Sequence, residues 1–415
     1  MHGEIISIGD EITSGQILDT NSQWLSLRLE ELGIHVLYHA TIGDEVDAIV
    51  QVFQQAFRRS DVIVTTGGLG PTADDLTREA LARATGRRLV LDPHALEHIR
   101  ELFARRKRPM PKKNEVQAFL PEGSRMVHNP NGTAPGIDIE VPRPGATPSR
   151  LFALPGVPAE MKEMWYQTLA RELRKIGAGQ KVIKHRRIKC FGAGESQMEA
   201  MLPDLVHRGR DPRVGINASQ ATIIFRVTAS GPTEEAAQAA AEPVVATIRK
   251  CLGDLVFGEE DDELQDAVVR LLRQKGRTLA TAEWGTAGLV ANWLGELAEG
   301  QGFYLGGLVL AGEKSVRQLL DMPADLVARH EQEGKELVAA MAAACRKRFA
   351  SDYGLAVGPF PKPNPAAAEP KPLFFGLATA DGVTTSSVPF AAHPALLRIL
   401  SGKQALNMVR LAMLK

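Results

Sequence analysis

The chain has 415 residues, 44% of them hydrophobic and 24% charged, with 49 Lys and Arg against 49 Asp and Glu. That profile predicts about two to four globular domains, and its zero formal charge excludes a surface built wholly for nucleic acid or anionic membrane. Three scattered cysteines, Cys190, Cys251 and Cys345, exclude a disulfide scaffold and a Cys-rich zinc site and suit a reducing cytoplasm; no apolar run reaches the ~18–20 residues of a membrane span, and the acidic start does not read as a signal peptide.

The first 90 residues alternate strand and helix patterns. Glu4 to Ile8 reads as a buried strand. Thr20 or Asn21 can cap a helix carrying Trp24, Leu25, Leu29 and Leu32 and closed by Gly33. Ile34 to Ala40 is a second strand, and Val46 to Phe57 repeats apolar residues at helical spacing. Asp61 to Thr66 is a third strand and Asp74 to Thr85 a third helix. Strands Ile137–Val141 and Leu151–Leu154 flank a Pro/Gly turn, and a helix spans Glu160–Arg174. Such alternation predicts an α/β fold of doubly wound type, with helices on both faces of a mostly parallel sheet.

From about residue 177 the pattern changes. Val182–Cys190, Glu195–Leu202, Val214–Asn217, Thr222–Ala229 and Thr233–Cys251 read β-α-β-β-α, a small separate α/β domain. The acidic run Glu259-Glu260-Asp261-Asp262 reads as a linker or as the capped start of the next helix. A third α/β domain follows, in which six prolines between Pro359 and Pro372 predict an extended loop. The expected boundaries are 1–176, 177–258 and 259–415.

The densest chemistry lies in Gly67-Gly68-Leu69-Gly70-Pro71-Thr72-Ala73-Asp74-Asp75, which follows a strand and opens a helix. Glycines permit tight turns and leave amides open to phosphate at a helix start. Asp74 and Asp75 alone would repel a phosphate; with a divalent cation they would hold it. Against this, Thr72 to Asp75 is also a capping box, whose acids merely complement the helix dipole. Two further loops follow strands on the same side: Gly9-Asp10-Glu11, continuing to Asp19-Thr20-Asn21, and Asn129-Pro130-Asn131-Gly132-Thr133-Ala134-Pro135-Gly136. Ligands of doubly wound sheets bind beyond the carboxyl ends of the strands. Leu154-Pro155-Gly156-Val157-Pro158 is another strand-to-helix loop. Plain capping by Asp19 and Asn21, and an ordinary turn at Asn131-Gly132, remain open readings. The basic run Arg105 to Arg108, with Lys112 and Lys113, is the one patch that could suit nucleic acid; it reads rather as a solvated face, since aromatic residues for base stacking are missing nearby, and a contact to substrate phosphate is the other alternative.

These loops, together with Met110-Pro111, Asn114, Gln117, Glu160 and Met161, resemble the CinA family, competence/damage-inducible protein A, over the whole chain, more weakly after about residue 280. The resemblance implies an N-terminal domain similar to the molybdopterin-binding MoaB/MogA fold, a KH-like middle domain and a C-terminal nicotinamide-nucleotide amidase domain. It implies metal-dependent hydrolysis of ADP-ribose to AMP and ribose 5-phosphate, with Asp10, Glu11, Asp74 and Asp75 as catalytic residues. Asp74 and Asp75 would hold the metal; Gly9, Asn21, Gly67, Gly68, Gly70, Thr72, Asn129, Gly132, Thr133 and Gly156 would bind substrate. The expected cofactor is a divalent ion, Mg, Mn or Co, with room for a monovalent cation beside it. A small-molecule nucleotide substrate and a homodimer are expected; membrane and sequence-specific nucleic acid are not. Binding of a pterin or nucleotide without turnover, and a scaffold role in competence or damage response, are the alternatives.

The C-terminal domain departs from the family's Glu-Ser-x-Thr-Gly-Gly motif, reading Glu283-Trp284-Gly285-Thr286-Ala287-Gly288. Trp284 stands in place of the nucleophilic serine, and Ala311 and Val316 in place of a tyrosine and a lysine. A hydroxyl nucleophile needs a neighbouring base, so this domain is expected to have lost amidase activity.

Overall fold

The computed structural model describes residues 1–203, 205–207, 209–298, 302–331, 333–362 and 370–415. The chain divides into two compact units, residues 1–184 with 229–240, and residues 185–228 with 241–415. The architecture is α/β throughout, with three sheet-bearing segments in chain order.

The first segment runs β1 (His2–Ile8), α1 (Asp10–Thr13), α2 (Thr20–Glu31), β2 (His35–Ile42), α3 (Val46–Arg59), β3 (Val62–Thr66), α4 (Thr77–Thr85), β4 (Leu89–Leu91), α5 (Pro93–Arg105), β5 (Phe119–Pro121), β6 (Arg125–Val127), β7 (Gly136–Arg143), β8 (Ala146–Leu154), α6 (Pro158–Met164) and α7 (Ala170–Lys175). Its six-stranded sheet has the order β2-β1-β3-β8-β7-β6. The first four strands are parallel; β7 and β6 are antiparallel. β3 is buried along its whole length and β1 from its second residue on, as central parallel strands with helices on both faces must be. One face packs Leu25, Leu29, Phe152, Met161 and Trp165; the other packs Ile49, Phe53, Ile63 and Leu81. Between β7 and β8 the buried Arg150 makes a bidentate bond to Asp138, Nε to Oδ1 at 2.8 Å and Nη2 to Oδ2 at 2.7 Å.

Several elements differ from expectation for identifiable reasons. α2 is capped by Asp19, whose carboxylate accepts the Ser22 amide, rather than by Thr20 or Asn21. α4 begins at Thr77, not Asp74, because the Asp75 side chain folds back onto the preceding loop. The helix expected over 160–174 starts at Pro158 and is interrupted by a π turn at Trp165–Leu169. The β4–β5 ribbon, α5 and β6 had no counterpart in the sequence reading.

The middle segment holds β9 (Val182–Cys190), α8 (Glu195–Ala200), β10 (Arg213–Ser219), β11 (Thr222–Gly231), α9 (Glu234–Leu252) and β12 (Val256–Glu259). Its sheet has the order β10-β11-β9-β12. β12 was not expected. The acidic run after it is not a free linker: Glu259 pairs with Arg186, Glu260 and Asp261 with Arg187, and Asp262 with Arg270.

The last segment comprises α10 (Leu264–Lys275), β13 (Leu279–Glu283), α11 (Leu289–Leu297), β14 (Tyr304–Val309), α12 (Glu313–Leu320), α13 (Ala324–Ala328), α14 (Gly334–Phe349), β15 (Tyr353–Val357), β16 (Pro372–Ala378), β17 (Val383–Pro389) and α15 (Pro394–Leu414). Its sheet, β14-β13-β15-β16-β17, is parallel over the first three strands and antiparallel over the last two. The extended loop expected over 359–372 falls largely on 363–369, outside the described residues. Among the described residues no helix is long and apolar enough to cross a membrane.

Candidate active site

In the first segment β1, β3 and β8 end side by side at Ile8, Thr66 and Leu154, and strand order reverses between β1 and β3. Loops after such strands diverge and leave a crevice. Here it is a cavity of about 540 Å³, the size of a small-molecule site.

The Gly67–Asp75 loop forms one wall. Gly67 has φ 100°, and a Cβ there would collide with the Ile8 carbonyl oxygen. The loop's carbonyls are held inward: Thr77 Oγ1 donates to Gly67 O at 2.8 Å, and Arg78 donates to Leu69 O at 2.5 Å and Gly70 O at 2.8 Å. Burial pulls the Arg78 guanidinium below its usual pKa, with Asp75 opposing. The two aspartates have different work. Asp75 Oδ1 accepts Gly70 N at 2.6 Å, Oδ2 accepts Thr72 N at 2.8 Å, and the Thr72 hydroxyl also donates to it. Asp75 therefore ties the loop. Asp74 is exposed; it competes for the Thr72 hydroxyl, which with its own amide holds its carboxyl below the ordinary range.

The opposite rim carries Glu11 and a residue the sequence reading missed, Asp44. Both line the cavity, and both also line, with Asp10 and Asp74, a shallow acidic opening beside it. Asp10 and Asp44 exchange backbone bonds: Asp44 N donates to Asp10 Oδ1 at 3.0 Å and Asp10 N to Asp44 Oδ2 at 3.1 Å. Burial, then the charges of Asp10, Glu11 and Asp74, push the Asp44 carboxyl above its usual pKa, against the Asp10 amide. Asp44 follows β2, whose end lies beside that of β1; Gly43-Asp44-Glu45, repeating Gly9-Asp10-Glu11 after a strand, was the available signal.

The third wall combines Asn21, Thr133, Ala134, Gly156, Val157 and Glu160. Asn21 Nδ2 donates to Gly156 O at 2.8 Å. Asp19 also borders the cavity, but its carboxylate is engaged by the Ser7 and Ser22 hydroxyls and the Ser22 amide; these outweigh the upward push of burial and hold its pKa low. Asn129 is fully buried, binding Ala134 O, Glu160 Oε2 and the amides of Asn131 and Gly132. Gly132 is where Glu160 and Asn129 pass too close for any Cβ.

The cavity wall thus brings together Gly9, Glu11, Asn21, Gly67, Gly68, Gly70, Asp74, Asp75, Thr133 and Gly156; Asp10 faces only the acidic opening. Asn129 and Gly132 are buried behind the wall and shape its loops, while Thr72 is exposed outside the cavity, bonded to Asp75. Among the described residues no three His, Cys, Asp or Glu side chains form a ready metal cage. The oxygen donors Glu11, Asp44 and Asp74 suit a hard cation held by one or two carboxylates and completed by phosphate oxygens, the way Mg²⁺ is commonly bound.

In the last segment Trp284 is partly buried and stacks on His330, ring centroids 5.2 Å apart. Glu283 is buried and accepts the Thr286 hydroxyl at 2.6 Å and the amides of Val290 and Ala291, so it anchors the start of α11. Thr286 and Val316 are fully buried, while Ala311 is exposed.

Residues 4–175 match the probable molybdopterin binding domain, 185–258 the damage-inducible protein CinA KH domain, and 261–413 the CinA C-terminal domain. A putative competence-damage inducible protein of Caldicellulosiruptor bescii is 34% identical over 99% of this chain and 98% of its own length. The chain is a member of the CinA family. A CinA-like protein of Dictyoglomus thermophilum matches at 34% over the full length of both chains. Among solved structures, the protein CinA of Thermoplasma acidophilum is 31% identical over 41% of this chain and 97% of that one, with a TM-score of 0.38. The molybdopterin biosynthesis enzyme MoaB of Thermus thermophilus is 26% identical over 42% of this chain and 95% of its own, with a TM-score of 0.28. In this CinA-family chain the three matched segments follow the six-, four- and five-stranded sheets in order.

Proposed function

We propose that the cavity of the MoaB-like domain hydrolyses a nucleotide diphosphate sugar, ADP-ribose in the first instance, to AMP and ribose 5-phosphate. The observation that carries this reading is that Glu11 and Asp44 share one acidic opening with Asp74 of the glycine-rich loop. Acids so placed repel a diphosphate unless a cation lies between. Asp44 and Asp74 would hold a divalent ion, which supplies charge neutralisation for the phosphates when bound. With the Gly67 and Gly70 amides engaged by Leu154 O and Asp75, the Gly68 and Leu69 amides would bond the diphosphate. Glu11 accepts the proton of the attacking water as its oxygen bonds to phosphorus and the bridging P–O bond breaks, releasing AMP and ribose 5-phosphate.

The test is product analysis of ADP-ribose incubated with the full chain and Mg²⁺, Mn²⁺ or Co²⁺. Equal amounts of AMP and ribose 5-phosphate, abolished by EDTA, are expected. A second reading, nucleotide or pterin binding without turnover, draws on the engagement of Asp75 in its own loop. Saturable AMP binding with no product under any of the three metals would favour it.

The same reading takes the C-terminal domain as catalytically silent and the protein as a cytoplasmic homodimer without sequence-specific nucleic-acid binding. Burial pushes the Cys190 and Cys345 thiols up to about 12, which suits inert, reduced cysteines.

A further inference from the structure

The turn that joins β10 to β11 is held by the last segment, within the one compact unit that both share. Ser219 pairs with Thr222, leaving Gln220 and Ala221 as a two-residue hairpin turn with φ 46° and 60°. Such turns favour Asn and Gly; most other residues crowd their Cβ in left-handed backbone. A turn built from Gln and Ala persists only where its surroundings determine it. Here Ala221 packs against the hydrophobic cluster that holds Leu264, Ala405 and Val409 of α10 and α15. Thr222 is buried, and its hydroxyl accepts Lys403 Nζ of α15 at 2.6 Å. Lys403 is buried too; it also donates to Glu263 Oε2 at 3.0 Å, while Lys189 of β9 donates to Glu263 Oε1 at 2.6 Å. Further along α15 the buried Arg410 donates to Asp254 O at 2.5 Å and Val256 O at 3.4 Å, at the entry to β12.

We propose that α15 works as a latch on the middle sheet, with Lys403 holding the tip of the β10–β11 hairpin closed. Two costs meet in the latched arrangement. The turn is strained, and the ammonium is out of water, where burial and then Lys189 pull its pKa down against Glu263. Release of the tip relieves both: the turn widens and the ammonium regains water. The bond to Thr222 and the packing of Ala221 offset these costs while the tip is seated. A contact balanced in this way opens locally far more readily than the hydrophobic seam beside it, where Phe191 and Phe257 of the middle segment share one core with Leu272 and Met413. The role this gives the last segment is mechanical and needs no nucleophile. It sets the geometry of the middle sheet, and the seam keeps the two segments together when the latch opens.

The experiment is hydrogen exchange of the full chain, read peptide by peptide by mass spectrometry, for wild type, Lys403→Met and Thr222→Val. The first variant keeps the buried stem and removes the ammonium. The second keeps the shape at Thr222 and leaves Lys403 its Glu263 partner. Exchange over the paired hairpin residues 213–219 and 222–228 should quicken about tenfold or more in both, the loss of one charge-assisted bond. β13, β15 and α14 should keep wild-type rates. Gln220→Asn/Ala221→Gly, added to Lys403→Met, should slow the hairpin back towards wild type, because the turn is then no longer strained. Unchanged hairpin rates in Lys403→Met or Thr222→Val overturn the proposal. So does an equal quickening over β13, β15 and α14, which makes Lys403 a general packing residue. A hairpin that the turn substitutions fail to slow overturns it as well. If Lys403→Met does not fold, Thr222→Val with and without the turn substitutions gives the same three readings.

Discussion

The Asn21 side-chain amide donates to the Gly156 carbonyl at 2.8 Å, tying the start of α2 to the loop that follows β8 across one rim of the cavity. Two strand ends separated in sequence by more than a hundred residues thus share one wall. Asn21→Ala should weaken AMP binding several-fold and lower unfolding stability by about 1 kcal/mol, the usual worth of such a bond. Urea denaturation and AMP titration check the two effects separately.

Asp74 and Asp75 are neighbours with different dependences. Asp75→Ala leaves the Gly70 and Thr72 amides without their acceptor and should cost about 1–3 kcal/mol, along with turnover. Asp74→Ala should remove metal-dependent turnover and leave the unfolding midpoint unchanged, because that carboxylate is exposed. Equal stability losses in the two variants would contradict this division.

The elements that position the cavity were legible in the sequence because they are long and periodic: β1, α2, α3 and β3 stand within a few residues of where apolar spacing places them. The glycine loop was legible for the same local reason. What escaped was carried by tertiary context. β4, β5 and β6 have only three residues each, too few for a period to register. Asp44 lies in Gly43-Asp44-Glu45, which repeats Gly9-Asp10-Glu11 after a strand and was the signal available; the pairing of β2 beside β1 brings it to the acidic opening. The Asp74-Asp75 doublet reads as one feature in sequence; in space Asp75 turns back to Gly70 and Thr72. Asn129, named from its motif, turns out to build the loop that presents Thr133 rather than to face the cavity itself.

His98 supplies a pH dependence. It is buried, its ring lies 4.6 Å from that of His128, and its Nε2 stands 3.2 Å from Gly132 O. Burial depresses its pKa, with His128 and Arg105 adding to the effect and Gly132 and Glu101 opposing it. A histidine depressed in the folded state contributes stability that is full above its unfolded value of about 6.5 and is lost as pH falls toward the folded value. Thermal unfolding should therefore show a smaller decline between pH 7.5 and pH 5 in His98→Gln than in wild type. An identical decline would remove His98 as the cause.

The bidentate Arg150–Asp138 pair is buried at both ends. Arg150 keeps Glu172 as a second partner at 3.1 Å, so Asp138→Ala costs the bidentate bond without stranding the charge and should destabilise the N-terminal domain by about 1–3 kcal/mol. Urea unfolding of the full chain, followed by Trp fluorescence, measures it.

Among the described residues of the last segment, the position expected for the nucleophilic serine carries no hydroxyl. Trp284 occupies the serine position, Thr286 is buried and donates to Glu283, and Val316 is core. Ammonia release from nicotinamide mononucleotide should stay at background. Turnover that vanishes in Thr286→Ala would identify a substitute nucleophile and refute the silent-domain reading.

The central claim is that acids on the rim of the first cavity drive cleavage of a diphosphate. The direct measurement is AMP formation from ADP-ribose in Mn²⁺ by the full chain, side by side with Glu11→Gln. Steady AMP release by wild type, dependent on the metal, with loss of at least about a hundredfold in Glu11→Gln is the predicted result for a general base. Undiminished release in Glu11→Gln, or no AMP from wild type in Mn²⁺, Mg²⁺ or Co²⁺, would contradict it.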